Sequence, residues 1–333
     1  MFELRFKRGI LVTSVLLLVL ATMTAGTLAA EKVSFRLNWV GQGSHAPFFL
    51  ALENGYFAQN GLKVEILEGS GSATTVKLIG NKSNDFGWAD AGTTILAAAR
   101  GVPIKTISAL FQSSSFAVIT GKDSGITQPK DLEGKRVAMT SGDALSQLFP
   151  AFAKANNIDI NKVQLTHVDA PAKVGALMEN RVDAILGGAD DQPLTLAAKG
   201  FPVRVLRFAD FGTNTIGMSI IAHEDTLRQR PQVVRGFLDA VIKGWDAARK
   251  NPDAAIAAIL KHIPEGNPEV MKNQLMAAFT FLFSPTSNTL GKATAKDWEN
   301  TIKLLSEYRG LPAGKPATAY YTNEFLPNVL PGK

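Results

Sequence analysis

From Val33 to about His223 the chain alternates short β-rich runs with helical stretches, and no other feature narrows its fold as much. Val33, Phe35 and Leu37 alternate as a half-buried strand, and Val64 with Ile66 begins another. Further strands are expected at 86–89, 104–108, 116–120, 136–140, 163–168, 182–186, 203–208 and 218–222. Helices are expected between them at 48–55, 73–79, 94–100, 144–154 and 172–179, with Pro150 kinking the fourth or delaying its start. Strands alternating with helices predict a parallel α/β architecture.

After His223 the period changes. Pro231 suits a first helical turn, and Val233, Phe237, Val241, Trp245 and Ala248 follow on one apolar helical face. Residues 271–283 and 298–308 also read as helices, and the tail from Leu311 as an extended surface segment. About 300 residues exceed the usual size of one core, so two lobes are expected. Clusters of small, polar and proline residues at 121–129 and 209–217 mark two crossings between them. The first lobe then takes 31–120 and 213–333, and the second takes 121–212.

Arg5, Lys7 and Arg8 precede an apolar run over 10–20 and then small residues through Ala30. That zone order predicts a cleavable secretory signal peptide over 1–30. There is no cysteine, which excludes disulfides, thiolate metal sites and thiol catalysis, and also the lipid-bearing cysteine of an anchored lipoprotein. A chain free in the periplasm is expected. The net charge of +6 falls to +4 once the leader's three basic residues and one acid are set aside. The remaining basic residues are dispersed, without the clustered stripe that nucleic acid would need, so no nucleic-acid partner is expected. His167, His223 and His262 lack metal-ligand spacing, so no metal is expected. The serines of Gly41–Ser44 and Gly69–Ser72 miss the nucleophile-elbow frame, and the latter loop lacks the lysine of a nucleotide P-loop.

Four ordered segments carry a family resemblance. They are Leu37-Asn38-Trp39 with Ser44-His45-Ala46-Pro47-Phe48-Phe49 and Gly55-Tyr56-Phe57; Glu68-Gly69-Ser70-Gly71-Ser72 with Asp85-Phe86-Gly87-Trp88-Ala89-Asp90; Asp131-Leu132-Glu133-Gly134-Lys135-Arg136-Val137; and Val182-Asp183-Ala184-Ile185. Over roughly 33–252 the chain resembles the solute-binding proteins related to sulfonate- and taurine-binding proteins and to the thiamine-pyrimidine synthases of yeast. The resemblance implies a two-lobed periplasmic-binding fold, each lobe a mostly parallel sheet flanked by helices and joined by a double hinge. It also implies a monomer that closes on one small molecule and delivers it to an ABC permease in the inner membrane. The Asn-Trp and His-Ala-Pro arrangement is most similar to the branch that binds thiamine-pyrimidine precursors. The family's enzymes use a histidine, a lysine-held pyridoxal phosphate and a cysteine-rich motif. Without that motif, and with no counterpart of the lysine, the chain is expected to be no enzyme and to need no cofactor.

In open α/β sheets ligands sit beyond the carboxyl ends of strands. Asn38 and Trp39 follow the first strand, Trp88 and Asp90 close another, and Ser141 and Asp190 stand after two more. His45 opens a helix inside the resembling motif, and Ser114 lies in a serine run between the expected lobes. Trp39 and Trp88 offer faces to a planar ligand. Asp90 and Asp190 would accept from an amino group and repel an anion. Ser70 and Gly71, ahead of a helix, would instead cradle an anion on backbone N–H groups. These residues frame two ligand classes: a thiamine-pyrimidine precursor or similar heterocycle, and an organic anion such as an alkanesulfonate, taurine, nitrate or an aromatic carboxylate. Asp143 and Asp191 read as helix caps or solvated turns.

Overall fold

The computed structural model of the protein describes residues 30–333; the expected leader lies, but for Ala30, outside the described residues. All ten expected strands form, and they sort into two five-stranded sheets. The first sheet holds β1 (Glu31–Arg36), β2 (Leu62–Leu67), β3 (Phe86–Asp90) and β4 (Ile104–Ala109), joined late in the chain by β10 (Met218–His223). The second holds β5 (Phe116–Gly121), β6 (Arg136–Met139), β7 (Gln164–His167), β8 (Ala184–Gly188) and β9 (Val203–Arg207). The spatial orders are β2-β1-β3-β10-β4 and β7-β6-β8-β5-β9.

Four strands of each sheet run one way, while β10 in the first and β5 in the second are antiparallel to both neighbours. The sheets are therefore mixed. The reason is topological, since each odd strand is the one that enters its sheet directly from the crossing between lobes. The two crossings, 110–115 and 208–217, lie side by side. Phe111 N–H donates to Met218 O at 2.8 Å, and Gly217 N–H donates to Phe111 O at 2.9 Å. Asn214 Oδ1 accepts from Ser113 Oγ at 2.9 Å and from Ser114 N–H at 3.2 Å. This pair of segments is the double hinge. The first crossing falls before β5, ahead of the Gly- and Pro-rich 121–129 stretch, which serves instead as the turn between β5 and the 3-10 turn Pro129–Leu132.

Pro150 lies inside the continuous helix Ala144–Ala155, a position where proline removes one hydrogen bond and bends the helix without ending it. The 20-residue helix Pro231–Lys250 buries Val233, Val234, Phe237, Leu238, Val241, Trp245 and Ala248, as its spacing predicts. It packs on Ala46–Glu53, and a Cβ at Gly244 would lie 2.4 Å from Pro47 O, so only glycine permits that approach.

The C-terminal segment departs from expectation. The helix Ala295–Arg309, opened by a Thr294–Asp297 capping box, packs against Ala144–Ala155 of the second lobe. Trp298, Leu305, Leu311 and Tyr320 share one core with Phe149 and Phe152. The expected assignment of 213–333 to the first lobe thus gives way to a segment that bridges both, because the helix's apolar face finds its partners on the second lobe. The tail is anchored rather than loose: Tyr320 is buried beside β4, where Thr106 N–H donates to Tyr320 O at 3.0 Å, and Phe325 and Leu326 enter the first core.

Candidate functional site

Between the sheets lies a cavity of about 60 Å³, walled from both lobes. A benzene-sized ligand occupies ~150 Å³ in a protein interior, so a ring compound is admitted only as the lobes part slightly. Asn38, Trp39, Gly71, Trp88 and Asp190 of the expected site line this cavity. His45, Ser70, Asp90, Ser114 and Ser141 do not.

The first-lobe wall is the turn after β1. Trp39 is 8 % exposed, with Lys173 Nζ 5.0 Å from its ring centre. Asn38 is held from behind by His45, whose Nε2 lies 3.0 Å from Asn38 Oδ1. Burial pushes the His45 ring down to about 3. It is therefore neutral at ordinary pH and donates through Nε2–H to Asn38 Oδ1, while the Asn38 amide N–H donates to Met218 Sδ at 3.9 Å. His45 positions a cleft residue instead of meeting a ligand. Trp88 stands edge-on to Phe48 and Phe111 at 5.2 and 5.5 Å, mostly inside the lobe core.

Asp90 caps the helix Ala91–Ala99, its Oδ1 accepting from Thr93 N–H at 2.7 Å, while Oδ2 has no partner. Burial pushes its carboxyl up to about 7. Ser70 is exposed, Ser141 is exposed and pairs with His167 at 2.9 Å, and Ser114 Oγ accepts from Phe116 N–H inside the hinge. The Gly-Ser loop is spent within the protein. Gly71 N–H donates to Asn38 O at 2.7 Å, and Ala73 N–H donates across the cleft to Gly142 O at 3.0 Å. With these N–H groups engaged, the helix start offers an anion little.

The second-lobe wall holds what the sequence reading passed over. Lys173 is 1 % exposed, and its ammonium donates to Asp143 Oδ2 at 3.2 Å and to Leu186 O at 3.0 Å. Asp143 also caps the helix Ala144–Ala155, accepting from Ser146 N–H at 2.6 Å, so it is a cap and a cleft residue at once. Asp191 Oδ1 accepts from Gln274 Nε2 at 2.8 Å, and its other oxygen accepts from Gln192. Gln274 Oε1 in turn accepts from Gly43 N–H at 2.8 Å, which ties the two lobes together. Burial and then the neighbouring Asp190 charge push Asp191 up to about 7, against the pull of Lys173. Burial likewise raises Asp190, with the Ser115 hydroxyl opposing it. A signal for Lys173 was present in the sequence: it shares a helical face with Ala176 and Leu177, each 2 % exposed, and a lysine on a core-facing stripe requires a buried partner. Gln274 had no such signal, since its partners lie 231 and 83 residues away.

Known proteins resemble the chain along most of its length. A family model described as "NMT1/THI5 like" matches residues 42–255. A protein of Uromyces fabae named 4-amino-5-hydroxymethyl-2-methylpyrimidine phosphate synthase is 29 % identical, covering 90 % of this chain and 89 % of its own. The riboflavin-binding protein RibY of Chloroflexus aurantiacus is 23 % identical, covering 89 % and 86 %. Among solved structures, the periplasmic aliphatic sulphonate binding protein SsuA from Escherichia coli superposes with a TM-score of 0.65 at 18 % identity, covering 91 % of this chain and 94 % of its own. The fold is the periplasmic-binding-protein fold. The expectation that the chain is no enzyme is corrected by these relatives, since the Uromyces protein, like one from Legionella pneumophila at 24 % identity, bears the name of a synthase.

Proposed function

Because the chain belongs to the NMT1/THI5-like family, we propose that it is the periplasmic substrate-binding component of an ABC importer, closing on a thiamine-pyrimidine precursor or similar amino-bearing heterocycle and delivering it to an inner-membrane permease. The observation that carries this reading is the cavity walled from both lobes, where Trp39 offers an aromatic face and Asp190 an acceptor that no cation among the described residues meets. Export belongs to the same reading and rests on the basic, apolar and small-residue zones of 1–30. No helix among the described residues is long and apolar enough to cross a membrane. The relatives named for a pyrimidine synthase and for riboflavin binding are consistent with a nitrogen heterocycle as ligand.

A second reading, capture of an organic anion, is favoured by one observation, the Lys173 ammonium in the cleft wall. Against it, that ammonium already faces Asp143, and the carboxyls of Asp190 and Asp191 stand nearby.

Thermal unfolding of the purified protein with a panel of aminopyrimidines, alkanesulfonates, taurine, nitrate and aromatic acids decides between them. A heterocycle at a hundredfold excess over its Kd adds about 2.7 kcal/mol, or about 5 °C in Tm, and X-ray scattering registers the accompanying closure. Stabilisation by anions alone overturns the heterocycle reading.

A further inference from the structure

Three carboxyl groups surround the cleft, and their partners differ. Asp143 has the Lys173 ammonium and the helix N–H of Ser146. Asp191 has amide donors on both oxygens, from Gln274 and Gln192. Asp190 is 4 % exposed and lines the cavity, yet no cation and no side-chain amide among the described residues meets its carboxyl, whose polar neighbours are the Ser115 hydroxyl and its own backbone N–H.

A buried carboxyl with hydrogen-bonding capacity left over is costly unless something completes it. The Trp39 ring restricts what can do so to a flat group able to lie in the same slot. A ring carbon bearing an amino group beside a ring nitrogen, a cyclic amidine, has the right edge. Its N–H and ring nitrogen match the oxygen and O–H of a carboxylic acid, and its protonated form matches the two oxygens of a carboxylate, as guanidinium does. Either proton arrangement gives two parallel hydrogen bonds. Burial raises the Asp190 carboxyl toward the protonated form, which favours the first arrangement.

We propose that Asp190 is the recognition carboxyl for a cyclic amidine edge on the ligand, an inference that rests on the solute-binding reading above. Asp191, held on both oxygens by protein amides, is thereby kept out of competition for the ligand. Lys173, held by Asp143 and Leu186 O, does not neutralise Asp190.

The test is isothermal titration of the purified protein with 4-amino-2-methylpyrimidine and with 2,4-dimethylpyrimidine, in which a methyl group replaces the amino group at nearly the same shape. The expected result is at least tenfold tighter binding of the amino compound. Asp190→Leu should bring the two within threefold of one another while still binding the dimethyl compound. Equal affinities in the unaltered protein, or an unchanged ratio in a folded Asp190→Leu variant, overturn the proposal and leave solute binding intact. If neither pyrimidine nor any of the anions binds, the solute-binding reading falls and this inference with it. The ratio in the unaltered protein reads the proposal even if the leucine variant does not fold.

Discussion

Lys173 Nζ stands 3.2 Å from Asp143 Oδ2 with the two side chains only 2 % and 5 % exposed, and the same ammonium lies 5.0 Å from the centre of the Trp39 ring. A lysine of the second lobe thus touches the aromatic wall of the first through a charge that Asp143 compensates. Removing one partner of a buried pair leaves the other charge uncompensated. Lys173→Met should lower unfolding stability by about 3–5 kcal/mol in urea titrations. Adding Asp143→Asn should recover a good part of that loss, because asparagine still caps the helix and carries no charge.

Gly71 has φ +134°, and a Cβ there would lie 2.2 Å from Gly142 O in the opposite lobe. Gly71→Ala should therefore hold the lobes apart. The expected readouts are a larger radius of gyration by scattering with ligand present and at least a tenfold loss of affinity. Gly55→Ala is the control: it too places alanine at a positive φ, +69°, but with open space around the Cβ, and should leave scattering unchanged.

Gln274 joins Gly43 N–H to Asp191, each at 2.8 Å. Gln274→Leu strands both groups in a buried place, at about 1–3 kcal/mol for each unsatisfied partner. The Asp191 bond spans the two lobes, so ligand dissociation should speed up by roughly tenfold or more in stopped-flow measurements. Unchanged dissociation would mean that the bond does not hold the lobes shut.

Asp90 carries a carboxyl raised from 3.8 to about 7 by burial. Between those values the native protein keeps the proton while the unfolded chain loses it. Stability from this group is therefore fully present below about pH 4, falls as pH rises to about 7 by up to about 1.4 kcal/mol per pH unit, and is level above. Asp90→Asn retains the cap and has no proton to lose. It should match the unaltered protein at pH 4 and exceed its stability at pH 8. A constant difference across that range would count against a buried, protonated Asp90.

Trp88 packs among Phe48, Phe111 and Trp245, whereas Trp39 stands at the cleft wall. Trp88→Ala should lower unfolding stability by about 3–5 kcal/mol. Trp39→Ala should instead appear mainly as lost ligand affinity, with a smaller change in melting temperature.

The periodicities of Val33 to His223 were enough for ten strands, and the apolar stripe of residues 231–250 was enough for the long helix, because side-chain period is a local property of the chain. The loops that end beside the cleft were also legible, since strand ends in an α/β fold converge on one side. Asn38, Trp39, Gly71, Trp88 and Asp190 line the cavity for that reason. Which polar groups face one another was settled only by folding. Asp143 became the partner of Lys173, Asp191 the partner of Gln274, and His45 a support for Asn38, through contacts that are mostly far apart in sequence. The helix Ala295–Arg309 likewise found its core on the second lobe. Local pattern tells an apolar face that it must be covered and a buried charge that it must be compensated; only the tertiary arrangement selects which surface covers the one and which side chain compensates the other.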